Sequence, residues 1–258
     1  MSLESRRATL AALATSLLMF TASLASAGHY YESTSTMSQQ GKRGKTTEQV
    51  KAWIDGDSAK VEFVAGPKDG WTATGNYIVT TAGGENVYLV NPKDETFGRF
   101  NIEDMMATLG AAMNMMQEMG GMVKMEFTDV SSEKLLEKPG GSILGRSTTH
   151  YRYRSSFTMN MAIMGMKQRN TVETVQDIWS TDDLDARGFG VWLRSDRRIQ
   201  TGNEELDDLL SQEMAKIQGF PLKMTHDMTT TNKKGKQQKS SSATEVLVLR
   251  EESVSSDM

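Results

Sequence analysis

The sequence predicts a mainly β protein of the α+β class, a long antiparallel sheet with two helices laid over it. Short segments with apolar residues at alternate positions follow one another, and turn residues separate them. Only two stretches switch to helical spacing. The cleanest alternation is "STTHYRYRSSFTMNM". There Tyr151, Tyr153, Ser155, Phe157, Met159 and Met161 share one face, and His150, Arg152, Arg154, Thr158 and Asn160 share the other.

The elements follow in order. From His29 to Phe100 the chain reads as short strands. "TTEQVKAWI" and "SAKVEFV" flank Asp55-Gly56-Asp57, a strong hairpin signal. Within the second, Ala59, Val61, Phe63 and Ala65 face one way, Lys60 and Glu62 the other. "GNYIVTTAGG" and "ENVYLVNPKDETFGRF" continue the meander, with Asn91-Pro92-Lys93-Asp94 as the last turn before a helix.

That helix begins after Asn101, a good N-cap, with Glu103 and Asp104 in its first turn. On a wheel centred on Ile102, the residues Met105, Met106, Leu109, Met113 and Met116 fall within roughly 60°. Gly120-Gly121 ends it. "MVKMEFTDV" then starts a strand and "EKPGGSILG" reads as a turn-bearing connection. The strand phase breaks between Met161 and Met164, where a turn or bulge is expected. "QRNTVETVQDIWSTDDL" returns as a strand, and "NEELDDLLSQEMAKI" is the second helix. "FPLKMTHDMTTT" and "SSSATEVLVLREESV" form a last long hairpin around "NKKGKQQK". Residues 253–258 are expected to fray.

Residues 1–27 are expected to be a secretory signal: Arg6 and Arg7, an uncharged run from Ala8 to Leu24, then Ala25-Ser26-Ala27 before cleavage. Ser5-Arg6-Arg7 also hints at twin-arginine export. The remaining residues 28–252 are read as a single domain, periplasmic and soluble. Removing the leader takes two arginines and one glutamate, so the net charge moves from −4 to −5. An acidic chain argues against a nucleic-acid partner. The chain has no cysteine, which excludes disulfides and thiol catalysis.

Several phrases carry a family likeness: "VKAWIDGDSAKVEF", "NVYLVNPKDETF", "ILGRSTTHYRY", "VQDIWSTDDL" and "GFPLKM". They resemble exported bacterial domains of unknown function related to the periplasmic lipoprotein-localisation carriers. The resemblance implies a curved antiparallel half-barrel, an incomplete β-barrel covered by two helices. It also implies an apolar cavity between sheet and helices that receives acyl chains.

Other chemistry finds little support. Gly44-Lys45-Thr46 ends like a phosphate-binding loop, but Gln39 stands where the first glycine is required. Asp182, Asp183 and Asp185 lack the alternating ligands and distal glutamate of a calcium loop. His29, His150 and His226 are isolated in sequence, and neither HExxH nor GxSxG occurs. The expected protein is therefore not an enzyme and carries no cofactor. Basic residues gather at Lys42, Arg43 and Lys45 and at Lys233, Lys234, Lys236 and Lys239. These hairpin tips are candidates for peripheral contact with an anionic membrane, against the plainer reading of solvated charge.

Methionine is the outstanding feature. Eight lie between Met105 and Met125 and four between Met159 and Met166, twelve of the nineteen. One reading is a pliable apolar wall: Ile102, Met105, Met106, Leu109, Met113 and Met116 opposite Tyr151, Phe157, Met159 and Met161, holding a hydrophobic ligand or an acylated partner. The second is a Cu(I) site of thioethers at Met115, Met116, Met119, Met122 and Met125. The third is a core filled by methionine, in a structural interaction module of the envelope.

Overall fold

With one exception in β7, turn chemistry cuts the described chain into strands where the sequence says it should. A computed structural model describes residues 28–41, 44–101, 104, 107–108, 111, 115, 123–163, 166–184, 204–216 and 218–252. The expected leader and the last six residues lie outside them. Strands β1 (Gly28–Gln39), β2 (Thr46–Asp55) and β3 (Ser58–Ala65) are followed by β4 (Tyr77–Thr81), β5 (Asn86–Asn91) and β6 (Thr96–Asn101). Gly56, at φ +54°, makes the β2–β3 turn. The Asn91 side chain accepts from the Asp94 amide at 3.2 Å and closes the turn between β5 and β6.

A second run comprises β7 (Val123–Ile143), β8 (Arg146–Ile163), β9 (Met166–Thr181), β10 (Phe220–Asn232) and β11 (Gln237–Glu252). All pairs are antiparallel, in one 11-stranded sheet of order β6-β5-β4-β3-β2-β1-β11-β10-β9-β8-β7. The sheet is therefore two meanders joined by their terminal strands β1 and β11, and it does not close into a barrel. Mainly β architecture and an open sheet match the sequence reading.

"EKPGGSILG" is a correction. Instead of a connection, Glu137–Ile143 continues β7, which runs for 21 residues, and the turn falls at Leu144-Gly145. β7 is the edge strand, so Pro139 lacks only a donor that no neighbour needs. The register shifts around Lys134–Leu136 and Pro139–Gly141, with Gly141 at φ +83°, absorb the misfit as bulges. Leu144 (φ 52°) and Gly145 (φ 78°) both take left-handed conformations between the paired Ile143 and Arg146, as a two-residue primed hairpin turn requires.

Of the two expected helices, the second is present as α1 (Glu204–Met214). The first is described at five positions, all helical: Asp104, Ala107, Thr108, Ala111 and Met115. Asn101 caps it, its side-chain oxygen accepting from the Asp104 amide at 3.4 Å. All five are exposed. On the Ile102 wheel they occupy roughly 140–240°, the side opposite the predicted stripe.

Residues opposite one another across an antiparallel pair share a face, so register assigns the two faces. One, here the inner face, carries the main core. Tyr31, Ala52, Ile54, Ala59, Phe220, Leu222 and Val246 pack there with Leu184 from the segment after β9. Tyr31 meets Phe220 edge-on, centroids 5.4 Å apart. Burying each large side chain contributes about 1.5–3 kcal/mol. The outer face is tied by cations over rings. Arg250 lies 4.1 Å from the Tyr30 centroid, Tyr30 meets Trp53 at 5.2 Å, and Lys60 stands over both Trp53 and Tyr77. Burial, with the hydrogen bond it donates to Glu32, pushes the Tyr30 hydroxyl up to about 12.

Two substitutions test this account of β7. A Cβ at Gly140 would lie 2.6 Å from Thr148 Oγ1 and 2.9 Å from Trp179 Cδ1. Gly140→Ala should therefore destabilise by about 1–3 kcal/mol in urea unfolding. Leu144→Asn should instead stabilise by about 0.5–1 kcal/mol, because asparagine tolerates the left-handed backbone better. An unchanged midpoint in either variant would contradict the edge-strand geometry.

Candidate functional site

Register places the predicted wall residues together. Tyr151 stands opposite Ile178, which stands opposite Met224. Tyr153 is followed by Gln176 and His226, Ser155 by Thr174 and Met228, Phe157 by Val172 and Thr230, and Met159 by Asn170. These rows cross the inner face of β8, β9 and β10. Continuing across β11, the first three rows reach Thr244, Ser242 and Ser240, and then Ser35, Met37 and Gln39 of β1.

Tyr151, Tyr153 and Ile178 are buried and form a second cluster with Met224 against it. Phe157, Met159 and Met161 are half-buried on the same face. Met37 and Met228 lie farther along it, 60% and 36% exposed. The inner face thus grades from a packed core at one end of the strands to an open, methionine-bearing surface at the other. Ile102, Met105, Met106, Leu109, Met113 and Met116 lie outside the described residues, so the facing wall is not placed.

α1 and the residue just beyond it add polar groups. Leu209 is buried, and Lys216 is only 2% exposed. Lys216 donates to Glu213 and places its ammonium 6.0 Å from the Tyr153 ring centroid. The Tyr153 hydroxyl is buried with no hydrogen-bond partner. Burial pushes it up, and Lys134 draws it partly back. Sequence reasoning placed Tyr153 on this face but missed Lys216 beside it, because the two are 63 residues apart in the chain.

Of the copper candidates, only Met115 and Met125 fall among the described residues. Met115 is helical and 64% exposed. Met116, Met119 and Met122 lie outside the described residues, and Met125 stands opposite Met161 in β7–β8 register. No cluster of three or more His, Asp and Glu suited to a metal occurs among the described residues. Asp182 and Asp183 are exposed bend residues, while Asp185 is not described. Gly44-Lys45-Thr46 leads into β2, not into a helix.

On the outer face, His150 is not isolated in space. Its Nε2 donates to Asp177 Oδ1 at 2.6 Å, and Arg152 Nε donates to the same oxygen at 2.8 Å. The His150 ring stacks on Trp179 with centroids 4.1 Å apart and planes 8° from parallel, and Lys223 stands 5.6 Å from that indole. The sequence held half of this, since His150 and Arg152 were placed on one face by alternation. Asp177 and Trp179 complete it because the antiparallel register puts them opposite Arg152 and His150. The arrangement locks an imidazole between a carboxylate and an indole. It is a brace between β8 and β9.

No family model matches the chain, and no curated protein matches it. Solved structures similar to it include two low-identity chains. A domain from Vibrio parahaemolyticus described as an outer membrane lipoprotein-sorting protein domain is 11% identical, with a TM-score of 0.31, covering 89% of this chain and 88% of that one. A DUF1329 family protein from Desulfovibrio piger ATCC 29098 is 11% identical, with a TM-score of 0.32, covering 90% of this chain and 88% of that one.

The brace has a pH signature. Burial pushes the Asp177 carboxyl up, but hydrogen bonds from Arg152 and His150, reinforced by charge, more than offset this and hold it below the usual range. A depressed carboxylate stabilises the fold above its unfolded pKa of about 3.9, and that stability is lost as pH falls through the lower folded value. Asp177→Asn should cost about 1.5–3 kcal/mol at neutral pH. The gap from wild type in denaturant melts should stay constant down to about pH 5 and narrow below about pH 4. A gap independent of pH across that window would refute the assignment.

Proposed function

We propose that this chain is an exported, non-catalytic binding protein that holds a hydrophobic ligand or the acyl portion of a partner against the inner face of its sheet. The observation that carries this reading is the open end of that face. Phe157, Met159 and Met161 are half-buried there and Met228 reaches solvent. They continue the line of the Tyr151, Ile178 and Met224 cluster. Unbranched thioether side chains can repack around chains of different shape. The methionine-rich stripe from Ile102 to Met116 is proposed as the opposing wall. Its helix turns Asp104, Ala107, Thr108, Ala111 and Met115 to solvent, which is the orientation this role requires. Among the described residues no helix is long and apolar enough to cross a membrane.

Binding of Cu(I) is the second reading, favoured by Met115, which is exposed off the stripe. Native mass spectrometry of the protein purified from the envelope of its own host, with copper analysis of the same sample, separates the two. The expected result is a lipid-sized adduct without metal. Phe157→Asp and Met228→Asp should remove most of it. The exposure of Met228 lets that variant fold, so loss of the adduct reports on binding. Stoichiometric Cu(I) without lipid would overturn the proposal in favour of the thioether site. Finding neither would favour methionine as core filling in a structural module of the envelope.

A further inference from the structure

The long strands separate charge along their axis. At the end where the inner face opens, three neighbouring hairpins present exposed cations. Lys45 enters β2, Lys167 and Arg169 lie just past the β8–β9 turn, and Lys233, Lys234 and Lys236 occupy the β10–β11 turn. Lys239 flanks the last of these, joined to the β1–β2 turn by the Gln40 amide, which donates to its carbonyl at 2.8 Å. Among the described residues, Glu126, Asp129, Glu173 and Asp227 are acidic groups near this end, and Asp129 is 3.6 Å from Arg169. The other end of the same strands is acidic. Asp55 and Asp57 stand at the β2–β3 turn, Asp182 and Asp183 follow β9, and Glu251 and Glu252 close β11, against Arg146 at the start of β8, Lys138 of β7 and Arg250 of β11. The chain is acidic overall, and the fold brings the separate basic stretches of three hairpins to the same end.

The basic end also has a shape. A cleft of about 560 Å³ lies between the β8–β9 and β10–β11 tips. Lys167, Arg169 and Lys233 line it beside Met161 and Ala162, with Glu126 as its acid. Lys233 braces it by donating to the Lys167 carbonyl at 2.8 Å. Cations around a small apolar floor suit an anionic headgroup with the start of its acyl chains. The exposed Met37 and Met228 lie on the inner face near the same end.

We propose that this basic end docks on an anionic lipid bilayer, with the cleft between the two hairpin tips receiving a phosphate-bearing headgroup. Docking in this direction turns the acidic end away from the surface and brings the open end of the inner face to the lipid. It thereby gives the ligand of the proposed function a source or a destination. The docking itself does not require a bound ligand, so the two proposals fail separately. Association of this kind is screened by salt over about 8 Å at physiological ionic strength.

The test is cosedimentation of the protein with vesicles of phosphatidylcholine alone and of phosphatidylcholine mixed with phosphatidylglycerol. Binding is expected to the anionic vesicles only and to fall with added salt. Lys233→Glu, Lys234→Glu and Lys236→Glu together should weaken it by at least about a hundredfold at low salt. Asp55→Lys with Asp57→Lys, at the far end, should leave it intact. Thermal melts of both variants check the fold. Equal binding to neutral vesicles, no binding to either, or equal loss in the far-end variant would overturn the proposal. So would release from the vesicles by millimolar inorganic phosphate at constant ionic strength, which would mark a soluble phosphoryl site.

Discussion

Everything in this molecule hangs on the pairing of its first strand with its last. β1 and β11 meet from Gly28 opposite Glu252 to Gln39 opposite Ser240. Without that seam the chain is two separate meanders of six and five strands, each with an additional open edge. Side chains reinforce it: Ser35 and Thr244 hydroxyls are 2.9 Å apart, and Ser38 and Ser241 2.7 Å. Because the partners are more than two hundred residues apart, the seam carries a large loop-closure entropy and makes folding depend on non-local contact. It also unites the cores. Tyr31 and Ala52 from the first meander pack on Phe220, Leu222 and Val246 from the second.

The same seam fixes the polarity of charge. The β1–β2 and β10–β11 turns lie side by side only because β1 and β11 are in register, and Lys239 bonds Gln40 through both backbone and side chain. Lys45 and the Lys233–Lys239 group come together by register, although neither stretch is notable for its length. A one-residue slip would turn the inner residues of β1 to the outer face. The register shift opposite Glu32–Ser33 leaves Leu247 as an extra residue in β11, so that Val246 and Leu249 both share the core face with Tyr31.

How much was legible in the sequence follows from the range of the interactions involved. Local chemistry was readable. Asp55-Gly56-Asp57 gave its hairpin, Asn101 its cap, and the alternation from Tyr151 to Met161 one face of β8. β7 was misread because Pro139, Gly140 and Gly141 look like punctuation. They are tolerated only on an edge with bulges, and edge position is a property of the whole sheet. Leu144-Gly145 was hidden for the opposite reason, since leucine is a poor residue for a left-handed turn and gives no signal. His150 looked solitary because Asp177 and Trp179 reach it through register alone. The five described positions of the first helix match the polar side of its wheel, while its methionine stripe lies outside the described residues.

On the proposed reading, the composition of the inner face would let a ligand-holding surface tolerate water when empty. A large exposed apolar patch invites aggregation. Here the rows across β8–β11 and β1 mix apolar and hydroxyl residues. Tyr151, Ile178 and Met224 continue into Thr244 and Ser35, and Ser155 and Thr174 continue past Met228 into Ser240. Hydroxyls hydrogen-bond to one another or to water at little cost and still pack against a methylene chain. Leucine or isoleucine at Met37 and Met228 would give similar apolar area with less freedom to repack. On the proposed reading, thioethers and hydroxyls together make a face that tolerates water when unoccupied and conforms to an acyl chain when filled. On that reading, the balance favours reversible holding over permanent burial.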